Sequence, residues 1–182
     1  MGSVLYAFGF DRIGVVVSDL YFVDPEPGEG QEGAERGVRI EVRMLERAEL
    51  PGSIYSAQPI GIGRPVWRGD LLESVAGPAG SFDRTHHHPA FSGWEPGRRH
   101  YVPELSADPL GWLTGRLSDL DALLLEAGLS PGDAGPDDAG DLRAAVPEIV
   151  GAVERLLGRV RAGELARSPA DDPALSARVG WL

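Results

Sequence analysis

Apolar residues recur at every second position through the first third of this 182-residue chain and at every third or fourth position through the last third. Side chains two apart share one face of a strand, and side chains three and four apart share one face of a helix. The chain is therefore expected to be an α+β protein. Its parts are a mostly antiparallel N-terminal sheet over about 4–68, a loop-rich central segment with a His-rich junction over 76–108, a C-terminal antiparallel helical hairpin over about 109–163, and an irregular tail over 164–182. One core of ordinary size accommodates a chain of this length, so a single domain over 1–182 is expected.

Val4, Tyr6, Phe8 and Phe10 alternate with Leu5, Ala7 and Gly9, which predicts a strand with two apolar faces and hence a buried one. Asp11 marks a turn into a second strand through Ile13, Val15 and Val17, and the Pro, Gly and Glu of 25–34 read as a solvated loop. Val38, Ile40, Val42 and Met44 then alternate with Arg39, Glu41 and Arg43, a half-exposed strand whose charged face should be solvated and paired with its neighbours. After a turn at 50–53, extended character returns up to Trp67. Gly61-Ile62-Gly63 lacks the third glycine and the following helix of a dinucleotide site, so it reads as a bulge or a close backbone approach. Asp70 reads as the N-cap of a short helix over 71–75, with Glu73 at its third position.

Asp108 followed by Pro109 is a helix start, and Leu110, Leu113, Leu117, Leu120 and Leu124 give one apolar stripe that Gly128 terminates. Leu142, Val146, Ile149, Val153, Leu156 and Val160 give a second stripe, in which Pro147 is expected to begin the main helix after a separate turn. A final Trp181-Leu182 is expected to pack back onto the fold.

Composition narrows the function classes. A formal net charge of −11 disfavours binding to nucleic acid or to anionic membrane surfaces. The absence of Cys removes disulfides, thiolate metal sites and cysteine nucleophiles, so any metal must take N and O ligands. No basic, uninterrupted apolar N-terminal segment is present, and the apolar run over 13–23 is broken by Ser18 and Asp19, so a cytoplasmic protein is expected. The expected partners are a small molecule or another protein, with a homo-oligomer as one possibility.

All four histidines fall within fifteen residues, His86, His87, His88 and His100. Pro89 biases His88 toward extended backbone, and Pro96 does the same for Glu95. In extended chain His86 and His88 share a face while His87 points the other way. Two convergent imidazoles need one or two further ligands to hold a divalent ion such as Zn, Fe, Mn or Cu. His100, Glu95 and Asp83 are the nearest candidates, and Asp70 and Glu73 could approach from earlier in the chain. Without a metal, a His beside Asp83 or Glu95 could act as a general base, giving these two carboxylates catalytic roles. Arg98 and Arg99, next to Trp94, offer forked donors and an aromatic wall for an anionic or aromatic ligand. The competing function class is a non-catalytic assembly protein that works through its helical hairpin or its tail.

Gly80, His86 and His88, in the spacing Gly-x5-His-x-His, resemble the first motif of the cupin barrels. That resemblance implies two metal-binding histidines on a strand, joined by a nearby Glu and a later His. It is carried by nine residues: Glu95 stands further along than the cupin Glu, and helical patterns occupy the place of the later barrel strands.

Overall fold

The computed structural model describes residues 3–171. Five strands form one antiparallel sheet in chain order: β1 Leu5–Gly9, β2 Ile13–Val23, β3 Ala34–Arg47, β4 Ile60–Ser74 and β5 His86–His88. A two-stranded ribbon, β6 Phe91–Ser92 with β7 Glu95–Pro96, follows directly. Then come α1 Pro103–Ala107, α2 Pro109–Leu117, α3 Leu120–Glu126 and the 24-residue α4 Asp138–Arg161. No helix among the described residues is long and apolar enough to cross a membrane.

The alternation seen in the sequence sorts the sheet into two faces. Val15 and Val17 of β2, Val38, Ile40 and Val42 of β3, and Trp67 and Leu71 of β4 are fully buried against the helices. From the helical side, Leu113, Leu117, Leu120, Leu123 and Leu124 meet Leu142, Ile149, Val153 and Leu156 of α4. Each such side chain contributes about 1.5–3 kcal/mol on burial, so this one interface dominates the stability of the fold. Asp138 fixes where α4 begins. Its carboxylate accepts hydrogen bonds from the backbone N–H groups of Asp11 (2.8 Å), Arg12 (3.0 Å) and Gly135 (2.7 Å), tying the helix to the β1–β2 turn.

Several expectations are corrected. The sheet continues past residue 68: β4 runs to Ser74, so Asp70 is a strand residue and not the cap of a helix over 71–75. Pairing decides this, because β3 extends back to Ala34 and offers a ladder partner to every residue from Leu71 to Ser74. β1 is an edge strand with Leu5 60% exposed, so only its Tyr6 and Phe8 face packs on the core. The charged face of β3 is not left to solvent; Glu41 exposes only 7%. The expected first long helix is two helices, because Asp119 starts a new one by accepting from the Ala122 N–H at 3.1 Å. Pro147 lies inside α4 instead of starting it. It sits on the solvent side, where the carbonyl that loses its partner can be hydrated, and Leu142 and Val146 anchor the preceding turns in the core. The bulge expected near Gly61–Gly63 is present as register shifts in the β3–β4 ladder around Arg43. The Trp181-Leu182 expectation lies outside the described residues.

Candidate metal centre

The site is built by strand register. β5 pairs with β4 so that His88 lies opposite Arg68, His87 opposite Gly69 and His86 opposite Asp70. β4 pairs with β3 so that Asp70 lies opposite Arg39 and Arg68 opposite Glu41. Residues opposite one another in an antiparallel ladder share a face. Two rows therefore cross the three strands on the face away from the helices: Arg39-Asp70-His86 and Glu41-Arg68-His88.

His87 faces the helices, as the alternation predicts. Gly69 makes this possible: a Cβ there would meet the Trp67 ring at 2.8 Å, so the indole can lie across the glycine toward β5. Its Nε1–H donates to His87 Nδ1 at 3.3 Å, and Trp112 packs on the same imidazole with centroids 5.1 Å apart. The Thr85 hydroxyl donates to the Leu72 carbonyl at 3.0 Å, and His87 and His100 exchange backbone hydrogen bonds of 3.0 and 2.8 Å. β5 is thus only three residues long but held on both edges.

On the other face His86, His88 and Asp70 are all buried, and each offers a ligand atom within 4.8 Å of the other two. His86 Nδ1 donates to the Arg84 carbonyl at 2.8 Å and His88 Nδ1 to the Gly97 carbonyl at 2.7 Å. A carbonyl can only accept, so Nδ1 carries a hydrogen in both rings, and the neutral form of each ring presents its Nε2 lone pair toward Asp70. Those Nε2 atoms lie 3.5 Å (His86) and 3.7 Å (His88) from Asp70 Oδ2. Such gaps are too long for hydrogen bonds. They are near the roughly 3.3 Å that separates two ligand atoms on one ion bound tetrahedrally at about 2.0–2.1 Å. Nδ1 bonded to a backbone carbonyl is also the usual arrangement that orients a metal-binding imidazole. The three side chains can hold a metal ion.

Arg39 completes the centre, donating from Nε to Asp70 Oδ1 (2.7 Å) and from Nη2 to Oδ2 (3.1 Å). Burial alone would raise the Asp70 carboxyl, but the His86 and His88 imidazoles, when they carry a proton on Nε2, and the Arg39 charge outweigh it and hold the group well below the ordinary carboxylate range. Asp70 is therefore a carboxylate at neutral pH. Aromatic rings flank the centre: Tyr101 beside His86 at 5.4 Å and Phe91 beside His88 at 6.5 Å between centroids. The β6–β7 ribbon folds over the same face, with Arg68 above Phe91 at 5.1 Å and Arg43 above Trp94 at 5.6 Å.

The other residues singled out in the sequence lie apart from this group. His100 is exposed and lies against His87, ring centroids 5.6 Å apart, so the backbone bridge that secures β5 carries it to the partner of His87 and not to the His86–His88 pair. Asp83 accepts from the Ser74 N–H (2.9 Å), the Ser74 hydroxyl (2.7 Å) and the Ser81 hydroxyl (2.8 Å), and so fastens the β4–β5 connection. Glu95 is exposed on β7, Arg98 is exposed, and Trp94 is 62% exposed beside Arg43. Arg99 pairs with Asp24 (3.1 Å) and Glu35 (3.4 Å) and lies over Phe22. Asp70, read as a helix cap, is the carboxylate that joins the histidines. The complementary charges of Arg39-x-Glu41 and Arg68-x-Asp70, matched antiparallel, were the signal in the sequence that could have placed it on a strand. No protein-family model matches this chain, and no significant match to it exists among curated proteins or solved structures.

Proposed function

We propose that the protein binds a divalent metal ion through His86 Nε2, His88 Nε2 and Asp70 Oδ2, and that the ion acts on a small molecule reaching it beneath the β6–β7 ribbon. The observation that carries this reading is the pair of Nδ1–H···O=C bonds, which place the hydrogen of each neutral ring on Nδ1 and so leave both Nε2 atoms, together with one carboxylate oxygen within 4.8 Å, free to meet one ion. With both rings neutral, three electron-rich atoms face one another in a buried site, and a metal ion between them offsets that repulsion. Two imidazoles and one carboxylate suit Fe(II), and equally Zn, Mn or Cu, and three protein ligands leave positions for water and substrate. An ion bound this way supplies Lewis acidity, or one-electron chemistry if it is redox-active.

The leucine stripe of α2 and α3 is packed in the core with α4: Leu113, Leu117 and Leu123 expose nothing. The metal reading is the one a specific observation favours; the tail, through which an assembly role is also expected to work, lies mostly outside the described residues. Equilibrium dialysis of the untagged protein against Zn2+, Mn2+ and Fe2+ tests it. One ion per chain is expected, lost in His86→Ala and in His88→Ala and retained in His100→Ala. Substoichiometric metal that neither of the first two substitutions changes would overturn the proposal.

A further inference from the structure

We infer that the exogenous ligand of this centre is a small oxyanion, a carboxylate or a phosphate, held between the ion and Arg39; the inference rests on the metal reading above. Arg39, Arg43 and Arg68 stand on one face of the sheet against Asp70 and Glu41. Glu41 is shared, with Arg43 Nη1 on Oε2 at 3.0 Å and Arg68 Nη2 on Oε1 at 2.8 Å. A bound divalent ion takes the imidazoles in their neutral form, so with the ion present the face carries an excess of three positive charges.

Water screens little of this excess. The five charged side chains are exposed by 27% (Arg39), 2% (Asp70), 20% (Arg43), 9% (Glu41) and 14% (Arg68). Among the nearby acids, Glu35 pairs with Arg84 and Arg99 and Asp24 with Arg99, while Glu46 beside Gly63 and Glu95 on β7 are exposed to solvent. In a chain whose formal net charge is −11, a partly buried positive excess requires counter-charge that the protein does not place there. A neutral alcohol or amide at the open coordination position would leave that excess unmet.

Arg39 points to where the anion sits. Its Nε and Nη2 are taken by Asp70, while Nη1 makes no hydrogen bond to protein among the described residues, and its side chain is the most exposed of the five. A planar guanidinium with one face committed to the ligand carboxylate and a free N–H pair beside it can grip one oxygen of a second oxyanion while the ion takes another.

The test is a titration of Co2+ into wild type, Arg39→Gln and Arg39→Lys, read by visible absorption, with and without acetate or inorganic phosphate and with chloride as control. In wild type, acetate or phosphate is expected to change the spectrum and to tighten Co2+ binding, each ligand strengthening the other by the same factor. The anion that does so identifies the class as carboxylate or phosphate. In Arg39→Gln, Co2+ alone should bind roughly tenfold more tightly, because one positive charge near the ion is gone. The anion effect should fall by a similar factor, and Arg39→Lys should largely restore it. Co2+ binding at one per chain with no response to acetate or phosphate overturns the inference and leaves the metal reading standing, as does an Arg39→Gln variant that keeps the full anion response. Failure of wild type to bind Co2+ at all removes the metal reading itself. If Arg39→Gln does not fold, the wild-type and Arg39→Lys titrations decide.

Discussion

Acid should weaken this fold through His87 before it reaches any carboxylate. Burial, with the positive charges of Arg116 and His100 nearby, pushes the His87 imidazole down from 6.5 to about 4. Geometry gives the same answer, since the Trp67 Nε1–H can donate to His87 Nδ1 only while that nitrogen is unprotonated. In the unfolded chain the ring takes up a proton near 6.5, and in the fold it does so only near 4. The unfolded state therefore binds more protons throughout that window. Stability contributed by the neutral ring is complete above pH 6.5, declines as the pH falls from 6.5 toward 4, and changes no further below. At 1.36 kcal/mol per pH unit the gap corresponds to at most about 3.4 kcal/mol. His87 exposes only 4% of its surface, but its ring borders the exposed His100, and screening from that side reduces the expected loss to about 1–2 kcal/mol. Urea denaturation followed by tryptophan fluorescence at pH 7.5 and pH 4.5 measures it. His87→Gln, which can still accept from the indole, should flatten the dependence over that window. A wild-type stability that is unchanged between the two pH values, or a His87→Gln variant with the wild-type slope, would refute both the tautomer and the assignment of His87 to the helical face.

Three further substitutions test how the sheet and helices are joined. Asp138→Ala should cost about 3 kcal/mol in urea denaturation, since it orphans the Gly135 N–H in the interior and two partly hydrated ones, whereas Asp138→Asn, which keeps some acceptors, should cost about half as much. Gly37→Ala should destabilise by more than about 2 kcal/mol, because its Cβ would lie 2.0 Å from the Leu71 carbonyl oxygen and force β3 away from β4. Pro147→Ala should raise stability by about 1 kcal/mol, measured as a higher urea midpoint, because it restores a helix hydrogen bond at an exposed position.

What the sequence conveyed was the local part of the structure. Alternation through Val38–Ile40–Val42 and the leucine steps after Pro109 are properties of consecutive residues, and they yield strands, helices and the α+β class. Separation of His86 and His88 from His87 is equally local, because it needs only extended backbone, which Pro89 favours. The misses are non-local. Asp70-Leu71-Leu72-Glu73 has the composition of a capped helical turn, and it becomes strand because Arg36 to Arg39 lie beside it with matching register. The same register delivers Asp70 to the histidines, and no periodicity within 83–100 contains that information. His100 has the right chemistry for a ligand, yet its backbone bridge to His87 puts it with the wrong histidine. Pro147 inside α4 reflects the strength of tertiary contacts on either side, which local propensity does not register.

The most direct test of the metal centre is anomalous diffraction from crystals of the untagged protein equilibrated with Zn2+, recorded at the zinc edge. The expected result is a single strong peak about 2.0–2.2 Å from His86 Nε2, His88 Nε2 and Asp70 Oδ2. No peak among these three atoms, or zinc held only at His100 or at surface carboxylates, would contradict the account.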